Sequence, residues 1–403
     1  MMLRRSFLSS GAAAVAAALA GCASTPPASS GLPLPAGRGS GDLGLVIERE
    51  TGTVGVLDTS ARQRLGSIAG LGDLSHASVV FGRDGATAYV FGRDGALTKL
   101  SLLTGQIEAR VQQAGNSIGG AISTDGSLVV AQNYQPGGIK VFDARTLKLL
   151  ADIPAVVDGK ASRVVGLADI PRNRFIYSLF DAGQIWIADL ADPAKPVLTR
   201  FENIGKQPYD ALVTPDGRHY IAGLFGEDGL AMIDLWAAQP RVRRILPGYG
   251  RGEQPLPVFK MPHLRGWSVA GQQAFLPAIG RHEVLVVDTG SWQEVGRIPV
   301  AGQPVFVMAR PDGRQVWVNF AVPDYDTVQV IDTQTRQIVH SLKPGKAVLH
   351  MEFTPRGDAV WISSRDAGHI SVIDTHSFET LAVLPAQSPS GIFFTARAAR
   401  TGF

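Results

Sequence analysis

Apolar residues in this chain gather into short runs that close on an Asp and pass into a polar turn. The runs read VGVLD to Asp58, IKVFD to Asp143, IWIAD to Asp189, LAMID to Asp234, VLVVD to Asp288, VQVID to Asp332 and ISVID to Asp374. Ser101 holds the equivalent place in LTKLS, and successive markers lie 42 to 54 residues apart. A second marker keeps step with the first: GRDG at 82–85, TDG at 124–126, PRN at 171–173, PDG at 215–217, AGQ at 270–272, PDG at 311–313 and PRG at 355–357. Such a period, built of strands and Gly/Asp/Pro turns, is the pattern of four-stranded propeller blades. No helical period of comparable length competes with it. The prediction is an all-β, single-domain, eight-bladed β-propeller.

A ring needs closing. Strands predicted over Leu43–Glu48, Val54–Asp58 and Gln63–Ile68 precede the first complete blade, and a single strand, Gly391–Thr395, follows the last hairpin. Together they predict a composite blade from residues 42–68 and 388–398, which removes exposed sheet edges. With strands a to d running outward from the channel, the a–b and c–d turns share one face. The b–c turns and d–a connections share the other, the mouth. The long interval between Asp234 and Asp288 holds an insertion at Ala237–Phe259, on a d–a connection.

The N-terminus follows other rules. Arg4-Arg5-Ser6-Phe7-Leu8, a short apolar run and Leu19-Ala20-Gly21-Cys22 predict a signal peptide over residues 1–21. It resembles a twin-arginine signal ending in a lipobox. Cys22, the only cysteine, is the predicted site of lipidation, and residues 22–41, rich in Pro, Gly and Ser, are a flexible tether before the propeller at 42–403. The expected location is the periplasm, membrane-anchored through Cys22, with the anchor on the side away from the mouth. A lone cysteine excludes an internal disulfide and a Cys-x-x-Cys-His haem attachment. The formal charge of +3 includes Arg4 and Arg5, and no basic run forms a phosphate track, so nucleic acid is not an expected partner. Neither of the Gly-rich pieces at 115–120 and 248–252 both follows a strand and opens a helix, which rules out a dinucleotide fingerprint.

Candidate chemistry collects at the mouth. His76 falls eight residues before Asp84 in the first a–b turn; the matching places elsewhere hold Ser117, Val164, Pro208, His263, Pro304 and Val348. His76 and His263 belong to the first and fifth inner strands, opposite one another in an eight-fold ring. A flat metallated ring lying between two such imidazoles suits that arrangement. His350 is read as packing, and Trp317 and Trp361, at one place in their b strands, as core.

The stretch Leu74-Ser75-His76 with Gly92-Arg93-Asp94-Gly95 resembles the start of the haem d1 domain of cytochrome cd1 nitrite reductases. GDLSHAS, YVFGRDG, GNSIGGAIS, EQPLPVFKMPHL, AGQPVFVMARPDGRQVWVNF and KPGKAVLHMEF extend the resemblance, over about 41–403, to the NirF family of periplasmic haem d1 biosynthesis proteins. The resemblance implies haem d1 or a late precursor as ligand or substrate, with iron brought by the tetrapyrrole. It implies His76 as axial metal ligand, Arg93 as a cofactor contact and His263 at the distal position. Asn116 replaces a second Arg of the reductases, and their second distal His has no counterpart, which argues against nitrite reduction. Cofactor carboxylates need cationic or amide partners; the candidates are Arg93, Asn116, Arg163, Lys206, Lys260, Arg281 and Lys346. Tyr209 and Asp210 join His263 as candidate catalytic, proton-moving groups, with Glu227 and Asp228 nearby. Two readings stay open: an oxidoreductase acting on the tetrapyrrole late in haem d1 biosynthesis, and a non-catalytic protein that holds and delivers it. Expected partners are cytochrome cd1 nitrite reductase and other haem d1 maturation proteins, and a homodimer is compatible with either reading.

Overall fold

In the structure, a computed structural model that describes residues 37–250 and 266–400, each marker Asp ends the third strand of a four-stranded sheet. Its carboxylate then turns back onto the chain. Asp58 accepts the Ala61 N–H at 2.7 Å, Asp143 that of Thr146 at 2.8 Å, Asp288 that of Ser291 at 2.7 Å, and Asp332 that of Thr335 at 2.7 Å. The Ser101 hydroxyl oxygen accepts the Thr104 N–H at 3.2 Å in the same way. The a–b turns repeat the device with Asp84, Asp125, Asp216 and Asp312. A short acidic side chain satisfies turn N–H groups that no strand partner reaches, which is why the repeat is punctuated by Asp.

Eight four-stranded sheets form the ring, and the composite blade is one of them. Its order from outside to channel is Gln63–Ile68, Thr53–Asp58, Leu43–Glu48 and Pro389–Phe394. The closing strand starts two residues earlier than the sequence predicts. It stops at Phe394 because Thr395 opens a 3-10 turn, Thr395–Ala399, and donates its hydroxyl to the carbonyls of Ser40 at 2.7 Å and Leu43 at 3.0 Å. One feature was not anticipated, a small hairpin pairing Val156–Val157 with Lys160–Ala161 on the connection between the second and third complete blades.

Apolar side chains from adjacent sheets merge into eight core clusters, one at each blade boundary. Burial follows strand position. Leu43–Glu48 and Ala359–Ser364, both b strands, are buried throughout, whereas the outer Gln106–Gln112 alternates between exposed and half-buried. Trp317 and Trp361 are fully buried, as expected of core residues.

The face away from the mouth is cross-braced. Arg83, in the first a–b turn, donates to the Ser123 carbonyl at 3.1 Å, the Ile122 carbonyl at 3.1 Å, the buried Asp169 carboxylate at 2.9 Å and the Ala398 carbonyl at 3.0 Å. Beside it, Arg397 donates to Glu352 at 2.7 Å and stacks 5.1 Å over Phe393. The chain enters the ring on this face, where Arg38 bonds Asp42 at 3.0 Å and Asp58 at 2.7 Å. The predicted signal peptide, Cys22 and most of the predicted tether lie outside the described residues.

Candidate functional site

Two repeated backbone devices shape the mouth. In the first, the residue opening a b–c turn donates its N–H to the connection just before the inner strand: Phe180 to Arg163, Phe225 to Gln207, Ala321 to Gln303, Arg365 to Ala347 and Arg49 to Ser388, at 2.8 to 3.3 Å. In the second, six inner strands break register near the mouth. The breaks fall between Pro208 and Ala211, Pro304 and Val307, and Val348 and His350, among others. A bulge leaves residues unpaired and re-aims their side chains. Tyr209, Asp210, Val305, Phe306 and Leu349 are therefore released from the ladder where the channel opens.

The blade that carries His76 departs from this pattern. Its acceptor for the Arg93 N–H is Asp73, at 2.8 Å, yet its inner strand begins only at Ser78. The intervening residues form an extra turn. Leu74 plugs into the core, the Ser75 N–H bonds Asp73 Oδ1 at 2.8 Å, and Arg49 donates to the Ser75 carbonyl. His76 follows on that braced turn, exposed at the mouth rather than on the inner strand. The hydrogen bonds from Ser75, and then the nearby Arg93 and Arg49, hold the Asp73 carboxyl below its usual range.

Cations and aromatics divide the rim. Arg365 and Arg49 open the b–c turns of the last complete blade and the composite one, and Arg93 is the second residue after the b strand of the first complete blade. Burial and the neighbouring Arg365 pull the Arg49 guanidinium below its usual value. Arg93 lies 5.7 Å over the ring of Tyr134 in the next blade, where the aromatic half begins. The Tyr134 and Tyr209 hydroxyls are 2.9 Å apart, and Tyr209 packs on Phe180 at 5.7 Å and Phe225 at 6.0 Å between ring centroids. Burial pushes both phenols up, and for Tyr209 the adjacent Tyr134 adds to it, so both keep their protons at neutral pH. Arg163 stacks 4.2 Å over Phe180 and forms a bidentate pair with Asp181, which holds its pKa above the usual value. Asn116 begins the inner strand of the second complete blade, and its Oδ1 is buried with no hydrogen-bond partner among the described residues.

The candidates thus separate. His76, Arg93, Asn116, Arg163, Tyr209 and Asp210 sit on the mouth face, with Arg93, Arg163, Tyr134 and Tyr209 close enough to influence one another's charge. Lys206 and Lys346 are exposed on their d–a connections. Arg281 lines a cleft of about 160 Å³ with Tyr249, Glu294 and Arg297, reaching the outer edge of its blade. Lys260 and His263 lie outside the described residues, as do residues 251–259 of the predicted insertion. Sequence reasoning missed Arg49 and the aromatic partners of Tyr209, namely Tyr134, Phe180 and Phe225. Arg49 was legible, because it stands one residue after a b strand, as Arg365 does. A flat, polycarboxylated macrocycle fits this rim. Guanidinium groups are suited to carboxylates and aromatic faces to a flat ring, and the buried Asn116 side-chain oxygen could accept a further hydrogen bond.

Comparison with known proteins agrees with the geometry. The cytochrome D1 heme domain model matches residues 38–398. Protein NirF of Stutzerimonas stutzeri is 60% identical over 368 residues, 91% of this chain and 94% of that protein. Protein NirF of Pseudomonas aeruginosa is 58% identical over 387 residues, 95% and 96% of the two chains. Among solved structures, dihydro-heme d1 dehydrogenase NirN in complex with DHE superposes with a TM-score of 0.79 at 27% identity, covering 91% of this chain and 78% of that one.

Proposed function

The chain belongs to the NirF family of cytochrome D1 heme domain proteins, and from that premise we propose that it binds haem d1 or a late precursor across the mouth and acts in a late step of haem d1 biosynthesis. The observation that carries this reading is the arc Arg365, Arg49, Arg93 running into the wall of Tyr134, Phe180, Tyr209 and Phe225. The arc neutralises carboxylates, the wall excludes water from one edge of the ring, and His76 on its braced turn is the proposed axial ligand. When bound, the tetrapyrrole supplies the metal and the redox chemistry. The protein's own contribution is to hold the ring and to offer the Tyr134–Tyr209 hydroxyl pair, with Asp210 and His263, as groups that move a proton.

The hydroxyl pair favours the oxidoreductase reading, and the dehydrogenase NirN, similar in fold, supports it. A holding protein that delivers the ring to cytochrome cd1 nitrite reductase is the second reading, favoured by a rim whose Arg and Asn groups are those that binding alone requires. Substitution separates them. His76→Ala is expected to change the visible spectrum of bound haem d1; an unchanged spectrum puts the axial ligand elsewhere. Tyr209→Phe and His263→Ala are expected to keep tetrapyrrole affinity while cells lose active nitrite reductase. Activity lost only in step with binding would favour the holding role.

We also propose that the protein is exported and lipid-anchored in the periplasm through Cys22. The described chain enters the ring on the face opposite the mouth, at Arg38 and Asp42, which supports an anchor that leaves the mouth open to partners. Cys22→Ser is expected to move the protein from the membrane to the soluble periplasmic fraction. Wild-type protein already soluble there would exclude the anchor.

A further inference from the structure

His350 is the third residue of its inner strand, Val348–Phe353, just past the register break that opens the mouth. Its ring is fixed on several sides. Phe393 of the composite blade stacks on it at 5.8 Å and 24°, and Phe306 of the preceding blade meets it edge-on at 6.2 Å. The Ile392 N–H donates to its Nδ1 at 3.1 Å. That bond decides the tautomer. A backbone N–H cannot donate to a protonated nitrogen, so the neutral ring carries its hydrogen on Nε2. Burial, and then Arg397, push the imidazole down to about 3, so the ring stays neutral across the physiological range.

Two consequences follow from the tautomer. Coordinating a metal through Nε2 would require the proton to move to Nδ1, breaking the bond to Ile392, so His350 is not built as an iron ligand. What remains is a donor. Among the described residues Nε2 makes no hydrogen bond, and the ring is half-buried on a strand that lines the channel. A donor held in one orientation and open to the channel can reach an acceptor on a bound ligand.

We propose that His350, through Nε2–H, donates a hydrogen bond to a carboxylate or carbonyl oxygen on the rim of the tetrapyrrole and so selects for a ring bearing oxygen at that edge. The proposal rests on tetrapyrrole binding at the mouth. It makes His350 a binding and positioning residue two blades from the turn that carries His76.

The test uses the two nitrogens separately. In His350→Asn the amide oxygen can still accept from Ile392, but nothing reaches the Nε2 position. In His350→Gln an N–H returns near Nε2 while the acceptor for Ile392 is lost. Haem d1 is titrated into the full-length protein and followed by visible absorption, with melting temperatures measured alongside. The Asn variant is expected to bind about tenfold more weakly with the band positions of the wild type, and the Gln variant within about twofold of wild type. A purely structural role gives the reverse, with Gln destabilised and Asn normal, and overturns the proposal. Shifted bands in the Asn variant would make His350 a ligand after all and overturn it too. Wild-type protein that fails to bind haem d1 would overturn the mouth-binding reading itself, and this proposal with it.

Discussion

Deleting Ser388–Phe403 yields an aggregating chain with no cooperative melting transition. The deletion strips the composite blade of Pro389–Phe394, the strand that pairs with Leu43–Glu48 and lines the channel. It removes Ile392, Phe393 and Phe394 from the core, each at most 9% exposed. Losing a large buried side chain costs about 2–5 kcal/mol, so three together reach the ~5–15 kcal/mol that stabilises a typical domain. The cut also bares the edge of Leu43–Glu48, every residue of which is buried, and an unpaired apolar edge recruits other chains. The Arg397–Glu352 pair and the Ala398 carbonyl that Arg83 holds are lost with it. Size-exclusion chromatography and a thermal melt test this directly. A soluble, cooperatively unfolding truncation would show that the ring does not depend on its closing strand.

Arg83→Met is expected to lower stability by about 3–5 kcal/mol, a large effect for one side chain away from the mouth. Its guanidinium bridges carbonyls of the second complete blade and of the C-terminal turn, and it pairs with Asp169, which is 1% exposed. Methionine keeps the apolar stem but withdraws the cation from a buried carboxylate, the costly way to break such a pair. The double variant Arg83→Met, Asp169→Leu should recover part of the loss, because it removes the buried charge as well. Urea midpoints of the wild type, the single and the double variant form the measurement. A single variant within about 1 kcal/mol of wild type would mean that the brace contributes little. Both variants leave the mouth intact, so tetrapyrrole binding by the folded fraction should be unchanged.

The ring was legible in the sequence because its signals are local. A marker Asp caps a turn three residues ahead, as with Asp143 and Thr146, and a hairpin pairs residues only a few positions apart. Eight repeats of that local chemistry leave one way to bury both faces of every sheet, against neighbours in a closed ring. Arg93 was legible because its GRDG turn carries its own signature. Arg49 was legible by position, directly after the predicted strand Leu43–Glu48, but was missed because its turn carries no GRDG-like signature to single it out.

The amino-acid sequence by itself determined the all-β class, the eight blades, the composite closure and the family to which the chain belongs. Tertiary structure alone decided which groups meet at the mouth. Tyr134 and Tyr209 are 75 residues apart, on the second and fourth complete blades, and meet only because the ring brings the mouth ends of those blades together. His350 and Ile392, 42 residues apart, fix a tautomer only because the last strand returns beside the one before it. The bulge that takes Tyr209 and Asp210 out of the strand ladder leaves the apolar pattern unchanged, since one extra residue alters register and not composition. Local hydrogen bonding writes itself into neighbouring residues, whereas a site assembled by ring closure depends on distances that the order of residues does not contain.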